Sequence, residues 1–197
     1  MERHISTKGQ ASRARLLESA KHLFANKGYQ QTKVSDIVKA AGLTQAAFYL
    51  YFTSKDAIFA ELVDEFRQQT KLLANNFRQL AKLSPPEIPA QIVSNLKGIF
   101  TYLSSNPELT RIAWFESPEA ETIKNEIIQL VTGNLAGNQA AGHIRQRIKP
   151  AFVAEFVIGA VDRLTNKWLL TGEKTPDELA EEMADLVMNG ILVRPNL

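Results

Sequence analysis

Apolar residues recur every three or four positions along most of the chain, which is the spacing of one face of an α-helix. A sustained alternation of apolar and polar residues, typical of half-buried strands, does not occur in the sequence. Glycine and proline separate the apolar stripes, most clearly in the segment 83–89, and they mark where helices end. The pattern therefore predicts an all-α chain of roughly nine helices.

Residues that start and stop helices give these elements approximate bounds. A first helix over about residues 10–26 is followed by Gly28, and a long helix capped by Ser54 reaches about residue 80. Three glycines between residues 133 and 142 predict a loop or a frayed helix there. The later helices are predicted to begin at a proline or a capping residue, namely at Pro89, Pro107, Ser117, Pro150 and Thr175.

Residues 32–56 contain two short helices separated by a tight turn. Gly42 lies where a left-handed residue ends the first helix, and Thr44 can cap the second by accepting a hydrogen bond from a free amide. A short helix, a glycine turn and a second short helix form the helix-turn-helix pattern, in which the second helix enters the major groove of DNA. We call this second helix, here Thr44 to about Tyr51, the recognition helix. The first helix has its apolar face at Val34, Ile37, Val38 and Ala41.

A helix-turn-helix corner also occurs in small helical domains that do not bind DNA, so the flanking residues matter. Lys27-Gly28-Tyr29 closes the preceding helix, residues 48–52 are unusually aromatic, and Ser54-Lys55-Asp56 opens the next helix. With these flanks, residues 10–60 resemble the DNA-binding domain of the TetR family of transcriptional repressors. The resemblance is most specific at Ala41-Gly42, at residues 49–52 and at Ser54-Lys55.

Position in the pattern and the resemblance together indicate which residues contact double-stranded DNA. Thr44 and Gln45 begin the recognition helix, where base edges are contacted, and glutamine can bond an adenine edge. Tyr49 resembles the family's tyrosine that positions the DNA backbone, and Lys55 lies at a helix N-terminus suited to phosphate. The predicted set is Thr32, Lys33, Ser35, Thr44, Gln45, Ala46, Tyr49, Tyr51 and Lys55. For the hydroxyl residues a simple capping role remains an alternative, and Phe48 and Phe52 are expected in the core.

The recognition helix departs from the family pattern at three positions. The residue after Gln45 is often glycine and the next is often threonine or serine, whereas Ala46 and Ala47 stand here. Leu50 replaces a residue that is commonly polar. These changes reduce the number of polar contacts to DNA, so the operator sequence stays open while the predicted fold does not change.

Charge is unevenly distributed along the chain. The net charge is +2, but the residues through Lys55 hold nine basic and three acidic side chains, a net of +6, which leaves −4 for the remainder. A basic N-terminal quarter is what binding to a phosphate backbone requires, and a solvated basic face without a partner is the alternative.

Composition narrows the protein class further. The chain of 197 residues is 45% hydrophobic and 22% charged, which is ordinary for a globular protein. The absence of cysteine excludes disulfides, thiolate metal sites and cysteine nucleophiles. No apolar run approaches the length of a membrane span, and no signal-like leader is present, so we expect a cytoplasmic protein.

The resemblance implies that residues 56–197 form an effector-binding and dimerisation domain, after a DNA-binding domain at residues 1–55. The last two helices are apolar around much of their circumference, and in the TetR family the corresponding helices build a four-helix bundle between two subunits. The alternative is that they only fill their own core. The predicted dimerisation residues are Val153, Val157, Ala160, Leu164, Met183, Leu186, Val187 and Ile191.

The resemblance also implies a pocket for a small, often hydrophobic effector. Its predicted lining is Phe100, Tyr102, Arg111, Trp114, Phe115, Phe152, Phe156 and Trp168. Aromatic residues at helical spacing also occur as ordinary core, which is the alternative at each of these positions. Arg111 or His143 can pair with an anionic group on the effector, or can lie solvated at the surface.

Signals for enzymatic chemistry are weak. His4, His22 and His143 are far apart in sequence and show no metal-ligand spacing, so neither a metal nor a cofactor is predicted. The acidic residues at 116, 119 and 121 lie at a helix start, where carboxylates favour the helix dipole. We therefore expect a homodimeric repressor that binds a palindromic operator and is released by an effector. A helical enzyme or an interaction module without specific DNA binding is the alternative.

Overall fold

The computed structural model describes residues 7–191, and all regular secondary structure within this range is helical. His4 lies outside the described residues. The all-α prediction is confirmed, and none of the helices in this range has the length and apolar character needed to cross a bilayer. The α-helices are α1 Thr7–Lys27, α2 Val34–Ala40, α3 Gln45–Tyr49, α4 Lys55–Asn75, α5 Ile88–Ser105, α6 Pro107–Thr110, α7 Ala120–Ala140, α8 Pro150–Leu164 and α9 Pro176–Asn189.

Shorter helical segments extend several of these elements. Two 3-10 segments follow α4, at Asn76–Lys82 and Pro85–Glu87. Two π-helical turns follow α6 and α8, at Arg111–Glu116 and Thr165–Leu169. The long helix predicted from Ser54 to about residue 80 is therefore α4 continued by a tighter 3-10 segment.

The helix ends in the N-terminal region follow the predicted signals. Gly28 and Gly42 have φ angles of 86° and 64°, the left-handed conformation that ends a helix at low steric cost when the residue is glycine. Thr44 accepts a hydrogen bond from the amide of Ala47 at 3.2 Å, and Ser54 accepts one from the amide of residue 57 at 3.1 Å. These caps fix the start of α3 and the start of α4, as predicted.

The chain divides into two compact units. Within the described residues, unit 1 comprises residues 7–67 and 108–120, and unit 2 comprises residues 68–107 and 121–191. Unit 1 therefore contains the first part of α4 and a later segment of the chain, besides the three N-terminal helices. The predicted boundary at residue 55 concerns where DNA binding and effector binding lie, and it stays a prediction.

Unit 1 is built around a buried aromatic core. Phe24, Phe48 and Phe66 are among its largest fully buried side chains. The ring of Trp114, on the π-helical turn, lies 5.9 Å from that of Phe66. The later segment is also held by polar contacts, because Glu108 accepts a hydrogen bond from the side-chain amide of Asn26 at 3.0 Å.

Unit 2 has its main packing between α5 and α9. The buried face of α5 includes Leu96, Phe100 and Leu103, and α9 buries Leu179 and Met183. The start of α9 is fixed by a capping box in which the side chains of Thr175 and Glu178 each bond the other residue's backbone amide.

Of the two alternatives predicted between residues 133 and 142, a loop or a frayed helix, the loop is wrong, because α7 continues to Ala140. Two buried asparagines on this stretch explain the difference: the Asn134 amide donates to the carbonyl of Ala74 at 3.1 Å, and the Asn138 amide donates to that of Phe77 at 3.3 Å. Each interior glycine costs a helix roughly 1 kcal/mol relative to alanine. Hydrogen bonds made by buried groups to distant carbonyls offset that cost, and a local pattern does not reveal them.

We predict that Asn134→Ala destabilises the protein, because the substitution removes a buried amide that donates to the Ala74 carbonyl and leaves that carbonyl without this donor. The expected loss is roughly 1–3 kcal/mol in the free energy of unfolding, measured by urea denaturation followed by circular dichroism. Asn125→Ala, at an exposed position of the same helix, is the control and should change little. Equal stability of the two variants would show that the Asn134 contact does not hold the helix.

Candidate nucleic-acid interface

The recognition helix is short and is held in place by its inner face. α3 has only five residues, too few to be stable alone in water. Phe48 on its inner side is fully buried, and Phe52 just beyond it is 4% exposed. Their ring centroids lie 5.7 Å apart, so the two rings share one core. Both residues are core residues, as predicted.

The opposite face of the recognition helix is open to solvent. Gln45 and Ala46 are exposed, and the side chains of Tyr49 and Leu50 are 57% and 71% exposed. Leu50 has helical angles, φ −72° and ψ −27°, so it continues the helical spacing and lies one turn beyond Ala46. Predicted contacts Thr44, Gln45, Ala46 and Tyr49 are all exposed, while Tyr51 is half-buried.

The start of α2 presents two further predicted residues, Lys33 and Ser35, both of which are exposed. The carboxylate of Asp36 accepts hydrogen bonds from the Lys27 ammonium at 2.6 Å and from the Lys33 amide at 3.1 Å. These two hydrogen bonds, in that order, hold the pKa of Asp36 below its ordinary value. The single acid of this helix is therefore paired, and its charge opposes an approaching phosphate less than a free carboxylate would.

The ammonium of Lys55 is half-buried in unit 1, which gives it a structural role besides the predicted one. Its Nζ donates to the carbonyls of Tyr29 and Thr32, at 2.9 and 3.0 Å, and lies 4.3 Å from the centre of the Tyr29 ring. An ammonium that satisfies two carbonyls holds the loop between α1 and α2 to the start of α4. We therefore assign Lys55 to this structural contact, and its phosphate contact stays a prediction.

Thr32 is also turned inward. Its side chain is buried, and its hydroxyl donates to the carbonyl of Gly28 at 2.8 Å, with the Leu23 carbonyl at 3.3 Å. Because this hydroxyl bonds carbonyls at the end of α1 and the N-cap of α2 is Lys33, neither the predicted phosphate contact nor the capping alternative describes Thr32.

Tyr29, in the loop between α1 and α2, makes a further contact with the start of α4 that the sequence did not suggest. Its hydroxyl donates to the Asp56 carboxylate, and its ring packs 5.4 Å from Phe24. Burial, followed by the hydrogen bond and the charge of Asp56, raises the pKa of Tyr29 from 10.0 to about 12. The phenol therefore stays protonated at neutral pH and remains a donor.

The residues predicted to line an effector pocket are divided between the two units. Trp114 is buried in unit 1, where Arg111 is exposed, and Phe100 is buried in unit 2. Phe115, Tyr102 and Trp168 are half-buried, and Lys167 and Lys174 lie over the Trp168 ring at 4.7 and 4.9 Å. The pocket lining stays a prediction at these positions.

Two predicted pocket residues lie elsewhere. Phe152 and Phe156 of α8 are 72% and 51% exposed, so their rings point out of unit 2. An aromatic residue that lines a closed cavity would be largely covered by protein, so we correct both assignments. Helical spacing alone does not tell an inward aromatic from an outward one.

These two rings extend the predicted dimerisation surface. Leu186, Val187 and Ile191 are exposed at 41%, 41% and 84%. Val153, Val157, Ala160 and Leu164 are half-buried along α8. Met183 differs from the other predicted residues, because it is 4% exposed and belongs to the core of unit 2. By the exposed face of α8 and α9 we mean the exposed apolar residues Phe152 and Phe156 of α8 and Leu186 and Val187 of α9, together with Ile191, two residues beyond α9.

Comparison with known proteins agrees with this architecture. A family model described as bacterial regulatory proteins of the tetR family matches residues 16–62. The chain is 36% identical over 192 residues to a Bacillus subtilis (strain 168) protein named "Uncharacterized HTH-type transcriptional regulator YdgC", and the match covers 98% of each chain.

Solved structures extend the likeness across both units. The fatty acid degradation regulator FadR from Bacillus halodurans gives a TM-score of 0.73 at 19% identity, covering 93% of this chain and 97% of that one. FadR from Bacillus subtilis, crystallised in complex with stearoyl-CoA, gives 0.69 at 20% identity, covering 91% and 100%. At these identities the two structures support a shared fold alone.

An exposed recognition helix, set on a capped turn among the described helices, is the arrangement of a helix-turn-helix protein. The family of this protein follows from the family model and from the relative that matches along almost the whole chain. The chain belongs to the tetR family of bacterial regulatory proteins. In the part of the chain that the structure describes, no group of three or more histidine, cysteine, aspartate or glutamate residues is arranged to hold a metal ion.

We predict that Lys55→Met destabilises unit 1, because two carbonyls lose a charged donor. The expected loss is roughly 1–3 kcal/mol in the free energy of unfolding, measured by urea denaturation. Lys39→Met removes an exposed lysine from α2 and is the matched control, with unfolding expected to change little.

A different result would restore the role predicted from the sequence. If Lys55→Met kept wild-type stability while the salt dependence of DNA binding fell by about one unit of slope, the ammonium would be contacting phosphate.

Proposed function

We propose that this chain is a homodimeric repressor that binds a palindromic operator and is released by a small hydrophobic effector. One observation carries the DNA-binding part, namely the solvent-exposed side of α3 formed by Gln45, Ala46, Tyr49 and Leu50. It belongs to the most basic quarter of the chain, which suits a polyanion. Because its target is chromosomal DNA, we also propose that the protein acts in the cytoplasm and is not an enzyme.

The dimer part of the proposal is supported by the exposed face of α8 and α9. Fully burying a side chain of the size of Phe or Leu contributes about 1.5–3 kcal/mol, so several such side chains left exposed favour association. A two-fold pair buries the same face on both copies. Such a pair also gives two recognition helices, which helix-turn-helix dimers place in half-sites about one turn of DNA apart.

The effector part rests on the fold and on one neighbour. FadR from Bacillus subtilis was crystallised with stearoyl-CoA, so a long-chain acyl-CoA is the first effector class to test on this chain. An effector releases DNA only to the extent that it binds the DNA-free state more tightly than the DNA-bound state. A shift from 1:99 to 99:1 requires a preference of roughly 10⁴-fold. In our proposal α4, which contributes residues to both units, transmits that preference to the recognition helix.

We predict specific binding to DNA from upstream of the gene for this chain or from genomic fragments selected with the purified protein. Fluorescence anisotropy should give an affinity that falls steeply as salt is raised, because phosphate contacts release counterions. Stearoyl-CoA should release the DNA, whereas coenzyme A alone should not.

Three outcomes would count against the proposal at different points. Absence of binding to any DNA at low salt contradicts the regulator itself. Binding without sequence preference contradicts the operator. Specific binding that neither stearoyl-CoA nor shorter acyl-CoAs weaken contradicts this effector class.

We predict that Phe156→Asp converts the protein to a monomer, because a charge at this exposed position of α8 is costly to bury against the same surface of a second copy. Sedimentation velocity should show the change, and operator affinity should fall at least tenfold. Leu72→Asp places the same charge at an exposed apolar position of α4 and is the control. A wild-type protein that is monomeric at micromolar concentration, or a Phe156→Asp protein that stays dimeric, would refute this interface.

A further inference from the structure

The exposed side chains of the recognition helix offer few hydrogen-bonding groups, namely the Gln45 amide and the hydroxyls of Thr44 and Tyr49. Ala46 and Leu50 offer only methyl groups, and Tyr49 offers a ring and one hydroxyl. Among the described residues of unit 1, Tyr49 and Leu50 are the large apolar side chains that are exposed. A side that contacts DNA with these groups cannot specify bases mainly by hydrogen bonds.

The surroundings of Leu50 favour DNA over a protein partner as the occupant of this side. Lys33 and Lys39 of the neighbouring helix are exposed, and the acid between them, Asp36, is paired with Lys27. An apolar partner protein gains nothing from exposed lysines beside its contact, whereas a phosphate backbone does. The major groove supplies the matching apolar group, since thymine carries a C5-methyl there and the other three standard bases do not.

The spacing of the two aliphatic residues fits this target. Ala46 and Leu50 are one helical turn apart, which is about 6 Å along the axis. Successive base pairs are about 3.4 Å apart, so the two side chains reach different base pairs. Gln45 beside them can form two hydrogen bonds to adenine. The same set of side chains therefore favours A·T pairs through both of their bases.

We propose that Leu50, together with Ala46, determines operator specificity by packing against thymine C5-methyl groups in the major groove. The inference rests on the proposed DNA binding and names the chemistry that the recognition helix selects. The expected half-site has thymines at the positions nearest α3. The protein would distinguish these thymines from cytosines by the methyl group as well as by hydrogen bonding.

The test uses the full-length protein and its selected operator, with single thymines replaced by deoxyuridine. This replacement removes one methyl group and leaves every base-pair hydrogen bond in place. Burial of one methyl contributes about 0.8 kcal/mol, so we expect affinity to fall about fourfold at each contacted thymine. Deoxyuridine at thymines outside the half-sites should have no effect.

The variant Leu50→Ala tests whether Leu50 causes the loss of affinity seen with deoxyuridine. The variant should bind the thymine operator more weakly and should lose the deoxyuridine effect at one position of each half-site. Leu72→Ala, another exposed leucine, should keep wild-type affinity and the full deoxyuridine effect. Because Leu50 is mostly exposed, Leu50→Ala should unfold at the wild-type urea concentration, which separates loss of contact from loss of fold.

The outcomes separate this inference from the proposed function. Specific binding that is equally tight with thymine and deoxyuridine at every half-site position overturns the inference and leaves the regulator intact. A deoxyuridine effect that persists in full in Leu50→Ala overturns the assignment to Leu50. Failure to bind any operator specifically contradicts the proposed function itself.

Discussion

The burial of Phe48 and Phe52 is the constraint on which the candidate interface depends. A helix of five residues has too few internal hydrogen bonds to persist in water, so α3 exists because its inner side is part of a core. Burying that side also fixes which residues point outward, because residues one helical turn apart share a face. The Lys55 ammonium holds the loop before α2 to the start of α4, so the neighbouring helix is fixed as well.

Local rules explain what the sequence predicted correctly. Gly42 and Thr44 act within a few residues of themselves, so their turn and cap could be predicted without any knowledge of the tertiary structure. The continuation of α7 depends on Asn134 and the Ala74 carbonyl, which are 60 positions apart in sequence. The position of the Lys55 ammonium depends in the same way on carbonyls 23 and 26 positions away, so no local pattern could reveal it.

The exposure of the Phe152 and Phe156 rings could not be predicted from the sequence for another reason. An apolar stripe is the same whether it packs within its own unit or against a second copy, so the pattern predicted apolar residues on α8 without showing which rings are buried and which are exposed.

The chain passes between the two units three times, after residues 67, 107 and 120. In our proposal these crossings, above all the one within α4, give an effector its routes to the recognition helix.

Whether the recognition helix and the start of α2 contact DNA can be measured by amide hydrogen exchange with and without operator DNA. This measurement locates the DNA-protected backbone without altering the protein. The account predicts slower exchange for peptides covering residues 33–37 and 44–51 when DNA is added at low salt. Slower exchange confined to residues 121–191, with no change in residues 44–51 under saturating DNA, would contradict it.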